Sequence, residues 1–121
     1  MLSEKQLELI KNQKYVVLAT ADLNNQPRVI FVEVNKIEND TIIITDNFMF
    51  ETLTNIKENN KVFVLAFEEG YEHILNITGH VTYRDSGELM EYVKKENEGF
   101  NPKGVLEIKI TDVKEKTYKD L

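Results

Sequence analysis

The sequence predicts a mainly β protein, a six-stranded antiparallel barrel with flanking helices in the order α-β-β-β-α-β-β-α-β. Three observations carry this expectation. Apolar, β-branched runs recur along the chain, and most are joined by turns of hairpin length. Helical patterns interrupt the strands only twice after the first, so the regular strand–helix alternation of a doubly wound parallel sheet is missing. The chain has 121 residues, 41% hydrophobic and 30% charged, with five Gly and two Pro, which suits one folded domain over 1–121 rather than a disordered or repeat composition.

Each element has a local cause. Ser3 with Gln6 three residues later reads as a capping box, opening a short helix with Leu7 and Ile10 that ends near Gln13. Tyr15 to Ala21 is a nearly continuous apolar run, and Leu23 to Pro27 supplies its turn. The second strand, Arg28 to Ile37, places Val29, Phe31, Glu33 and Asn35 on one face and Arg28, Ile30, Val32, Val34 and Lys36 on the other. Glu38 to Asp40 forms a hairpin turn into Thr41–Thr45, the most β-branched stretch. Asp46 is placed to cap a helix from Phe48 to Asn59, with Met49, Leu53 and Ile56 as its apolar stripe. Lys61–Phe67 and Tyr71–Tyr83 are the next strands, joined at Glu68-Glu69-Gly70. Asp85 and Glu88 suggest a capping box for a helix reaching Asn97 through Leu89, Met90 and Val93. Val105 to Val113 is the last strand, and the charged segment 114–121 is expected to fray.

Composition narrows the chemistry. There is no Cys, which removes disulfides, thiol nucleophiles and thiolate metal sites; redox chemistry would need a borrowed cofactor. Acidic residues outnumber basic ones 21 to 15, giving a net charge of -6 that repels a phosphate backbone. The aromatics Phe63, Phe67, Tyr71 and Tyr83 lie among Glu68, Glu69 and Glu72, so a nucleic-acid face is not expected. No segment has signal-peptide or membrane-spanning character, which points to a cytoplasmic protein. His73 and His80 share one predicted strand region and would stand roughly 23 Å apart on a straight strand, too far to share a metal. Ser3 and Ser86 occupy helix starts with no base beside them in sequence. Gly79, inside a strand, calls for a bulge, a bend or a close ligand approach. Between Ile44 and Thr52 a strand leads into a helix N-terminus, where free N–H groups favour an anion unless the Asp46 cap satisfies them.

At these residues a resemblance becomes visible. Val17-Leu18-Ala19-Thr20-Ala21-Asp22 with Gln26-Pro27-Arg28-Val29, then Asp40 to Asp46, Thr52 to Val62, and Ile77-Thr78-Gly79-His80-Val81 stand in the order and spacing of a known pattern. From Leu2 to about Tyr118 the chain resembles the pyridoxamine 5'-phosphate oxidase-like FMN-binding split-barrel family. The resemblance implies a split β-barrel homodimer with FMN at the subunit interface, lying along the second and third strands, its phosphate near the following helix. Carried onto this sequence, the cofactor contacts are Arg28, Val29, Ile30 and Phe31, then Thr45 and Asp46, then Met49 and Thr52.

The chain also departs from that pattern. Family members commonly have Arg or Lys at the positions of Phe50 and Glu51, and many have Lys at Glu33. A carboxylate in contact with a phosphate dianion costs on the order of a kcal/mol or more. FMN is therefore expected to be held more weakly than in the family at large, or replaced by another ligand. Two functions follow: a flavin-dependent oxidoreductase with an unknown small-molecule or electron-transfer partner, in FMN or deazaflavin (F420) form, and a dimeric binding or regulatory module of the same fold with a weakened flavin site.

Overall fold

A computed structural model describes the chain from Met1 to Leu121. Helix α1 (Glu4–Gln13) begins at the expected capping box: the Gln6 amide N–H donates to Ser3 Oγ at 3.1 Å, and the Ser3 N–H donates to Gln6 Oε1 at 2.9 Å. Strands β1 (Tyr15–Ala21), β2 (Pro27–Glu38) and β3 (Thr41–Asp46) follow, then α2 (Glu51–Glu58), β4 (Lys61–Phe67), β5 (Ile74–Arg84), α3 (Glu88–Glu96) and β6 (Gly104–Lys116). All neighbouring strands are antiparallel, and they close into a barrel in the order β1-β2-β3-β6-β5-β4. Mainly β architecture, six strands and their order with the helices all agree with the sequence.

Alternation along the strands decides the interior. Val16, Leu18, Ile42, Ile44, Val64 and Leu106 point into the barrel and are completely or almost completely buried. Each such side chain contributes about 1.5–3 kcal/mol relative to exposure. Ile10 of α1 and Ile56 of α2 join the same cluster from outside the sheet. Helix α3 packs separately: Met90 and Val93 meet Ile43 and Val105, and Lys36 Nζ sits 4.2 Å from the centre of the Tyr92 ring.

The outer face of one side is also apolar. Register places Phe31 beside Val17 and Val17 beside Leu65, with Val29, Ala19 and Phe63 forming the next rung. Phe31 is 75% exposed and Val29 62%, so this rung pattern lies open to solvent. No helix of the structure is long and apolar enough to cross a membrane.

Several boundaries differ from expectation, each for a physical reason. Helix α2 starts at Glu51 rather than Phe48, because the Asp46 carboxylate accepts from the Met49 N–H at 2.8 Å and folds residues 46–49 into a turn. The helix itself has Phe50 at its N-cap and no side-chain cap. Strand β5 starts at Ile74, three residues later than expected, because Gly70 and Tyr71 both adopt positive φ (90° and 57°) and prolong the turn. His73 therefore precedes the strand instead of lying in it. Helix α3 is capped by Gly87, at φ 95°, with no side-chain cap, so Asp85 and Glu88 form no capping box. Gly79 sits at a bulge, where an added Cβ would lie 2.7 Å from the Lys109 carbonyl oxygen; close backbone approach explains the glycine. The segment after Val113, expected to fray, continues the strand: β6 pairs through Lys116 with Ile74, and Thr117 caps a closing 3-10 turn at Tyr118–Asp120, where the Tyr118 N–H donates to the Tyr71 carbonyl at 2.9 Å.

Glu115 ties this end of β6 to α1 and to the β4–β5 turn. Its carboxylate accepts from Gln6 Nε2 at 3.1 Å and lies 3.2 Å from His73 Nδ1, and these contacts, Gln6 first, hold its carboxyl below the ordinary range. A depressed folded value means stability present above the unfolded value, about 4.3, and lost as pH falls through the folded one. Glu115→Gln should therefore lower the melting temperature at neutral pH and converge with wild type under acid; a difference that persisted at pH 2 would contradict the linkage.

Candidate functional site

A cleft of about 600 Å³ opens on the barrel's flank between β2, the end of β3, the turn into α2 and the C-terminal end of α3. Six of the eight residues expected at a cofactor line it: Arg28, Ile30, Phe31, Thr45, Met49 and Thr52. The other two do not. Val29, 62% exposed, shares the outer face of β2 with Phe31 but lies outside the lining. Asp46 is fully buried behind the cleft.

Asp46 builds the wall instead of facing the ligand space. Its Oδ1 accepts from the Met49 N–H, its Oδ2 accepts from the Tyr83 hydroxyl at 2.7 Å, and its carbonyl accepts from the Lys103 N–H at 2.8 Å. Lys103 Nζ stands 3.8 Å from Oδ1 and donates to the Met49 carbonyl. Burial first, then the bond to Asp46, pushes the Tyr83 phenol well above its ordinary range, so it stays a donor at any physiological pH. Tyr83 reaches Asp46 by lying across Gly104, where any Cβ would collide with the phenol ring. The turn from Asn47 to Phe50 is thereby fixed at both ends.

Of the polar floor, the sequence pointed to Thr45 but not to the two amides that engage it. A bulge between Val34 and Lys36 leaves Asn35 as the extra residue of β2, and its Oδ1 accepts from Thr45 Oγ1 at 2.7 Å. Asn97, just past α3, donates to Thr45 Oγ1 at 3.2 Å and to the Val93 carbonyl at 2.7 Å. The Thr45 hydroxyl is thus already engaged on both sides. Asn47, also in the lining, has a buried Oδ1 with no donor. Only the Asn35–Thr45 proximity had a local signal, since both flank the β2–β3 hairpin; Asn97 comes from a distant element.

The charges at the cleft are paired. Arg28 forms an ion pair with Glu51 in the first turn of α2, and Lys14 lies 3.8 Å from Glu33. Of the lining residues, Arg28 alone is cationic, against Glu33 and Glu51. At the mouth, Phe48 and Phe100 meet edge to face with ring centres 6.3 Å apart.

A closed antiparallel barrel with a flank cleft between a strand pair and a helix start defines the class of protein. Residues 2–117 match the family model described as pyridoxamine 5'-phosphate oxidase, and the chain belongs to that family. It is 30% identical over 119 residues to an uncharacterized protein of Methanocaldococcus jannaschii, covering 93% of this chain and 78% of that one. Among solved structures, HupZ of Group A Streptococcus superposes with a TM-score of 0.88 at 23% identity, over 98% of this chain and 96% of its own. An FMN-binding protein from Syntrophomonas wolfei superposes with a TM-score of 0.79 at 23% identity, over 93% and 84% respectively. These two likenesses establish the fold.

Tyr83→Phe tests the wall. Removing the phenol donor from a buried carboxylate should cost about 1–3 kcal/mol, read as a lower urea midpoint with an unchanged slope; an unchanged midpoint would show that Asp46 does not depend on Tyr83.

Proposed function

We propose that this protein binds a flavin in the flank cleft and acts in electron or hydride transfer. The observation that carries the reading is the cleft itself, placed on the barrel of a pyridoxamine 5'-phosphate oxidase family member and lined by six of the eight residues expected at the cofactor. Its volume is within the range of small-molecule sites. Ile30, Phe31 and Met49 offer an apolar surface suited to a planar ring. A bound flavin would supply the redox centre, which accords with a chain that has no cysteine and no cluster of three metal-binding side chains.

The lining fits a flavin's ring and hydroxylated chain better than its phosphate. The single cation, Arg28, is engaged by Glu51, and Glu33 adds a second carboxylate. The same objection applies to the polyanionic tail of a deazaflavin such as F420. If the phosphate mismatch extended to the ring, the chain would serve as a cofactor-free binding module.

The exposed rungs of β2, β1 and β4 support assembly as a homodimer through that face. Phe31 belongs to both that face and the cleft, so a second copy seated there would also wall the cleft.

FMN titrated into the protein should lose fluorescence in a saturable way, and Met49→Glu, which puts a carboxylate into the lining, should weaken binding by at least about tenfold. Equal affinity in the variant would place the flavin elsewhere. Phe31→Asp should convert a dimer to a monomer by light scattering; a dimeric mass for the variant would move the interface to another face.

A further inference from the structure

Resting on the flavin reading above, we propose that the Glu51 carboxylate occupies the place of a ligand phosphate, so that the cleft accepts a flavin with a neutral tail, riboflavin, as well as it accepts FMN. A phosphate entering the cleft would be drawn to the one end that attracts anions, where Arg28 meets the start of α2. That end already holds an anion. Glu51 lies in the first turn of α2, which has no side-chain cap, and its carboxylate is in ion-pair contact with the Arg28 guanidinium. The helix dipole and the guanidinium are thus both complemented by a group of the chain itself.

Within one protomer no spare cation compensates. Lys14 is directed to Glu33 at 3.8 Å, and Lys103, outside the lining, is engaged by Asp46 and the Met49 carbonyl. The hollow that continues from the cleft past Arg28 and Glu51 adds Asp22 and no further cation. A phosphate must displace Glu51 from Arg28 and then remain near the released carboxylate, so what it gains from the guanidinium it loses to that repulsion. A hydroxyl at the same place breaks no ion pair, because it can bond at the rim while Arg28 and Glu51 stay together. The ring-binding part of the cleft is common to both ligands, so the carboxylate removes the advantage of the phosphate without touching the ring site.

The experiment is a fluorescence titration of riboflavin and of FMN against wild type, Glu51→Gln and Glu51→Lys at low and high salt. Glu51 is exposed and both replacements suit a helix, and thermal melts verify folding. Wild type should bind the two flavins within about threefold of each other, and Glu51→Gln should strengthen FMN by about tenfold while moving riboflavin less than about twofold. Glu51→Lys should strengthen FMN further, and added salt should erase both gains. Wild type binding FMN more than about tenfold tighter than riboflavin, or an FMN-to-riboflavin ratio that neither variant moves, would overturn the role of Glu51 while leaving the flavin reading standing. Failure of both flavins to bind any of the three proteins would overturn the flavin reading itself.

Discussion

One buried carboxylate organises the functional side of this barrel. Asp46 ends β3 completely shielded from water, a position that is tolerable only because donors reach both of its oxygens. Those donors come from the turn just after it and from β5, and its carbonyl takes a third from the loop before β6. Three segments distant in sequence are therefore held to one residue. The turn that carries Asn47, Met49 and Phe50 into the cleft is anchored by this carboxylate and by the Lys103 ammonium on the Met49 carbonyl, so the shape of the site follows largely from satisfying this one charge.

Much of the barrel could be read along the chain because its causes are local. The nearly continuous apolar run at Tyr15–Ala21, the segment Lys61–Phe67 and the β-branched run at Thr41–Thr45 form strands with the expected limits or within one residue of them. Ser3 and Gln6 cap α1 through a four-residue pattern. Errors arose where a side chain answered to a distant partner. Asp46 looked like a helix cap, and it does accept an N–H three residues on, yet its second oxygen is claimed by Tyr83. Nothing local marks Gly104, whose missing side chain makes room for that same phenol. The charged tail gave no apolar signal, but backbone pairing with β5 and the Tyr71 carbonyl orders it. In the cleft, strand and turn residues were legible; Asn97 was not, because only the packing of α3 on Ile43 and Val105 brings it near Thr45.

The cleft is polar in a particular way. Its charges are opposed in pairs at its edge, while its floor is a chain of neutral groups, Asn35, Thr45 and Asn97, bonded to one another. Neutral amides and hydroxyls orient a ligand without adding net charge, and they cost little when a planar apolar body covers them because they already have partners. Such a lining discriminates by shape and hydrogen-bond pattern more than by charge.

Closure of the sheet has a further consequence for how the chain behaves when it is not yet, or no longer, fully folded. Every strand is bonded on both sides, so the native barrel offers no edge for strand addition, and its exposed apolar face can associate only through side-chain packing. That protection is shared by the most β-prone segment, Thr41–Thr45, which is sandwiched between β2 and β6. Its second neighbour arrives last in the chain, more than fifty residues later. During synthesis, until β6 docks, the isoleucine run is a bare edge. The C-terminal strand thus acts as the latch that closes the barrel over this edge.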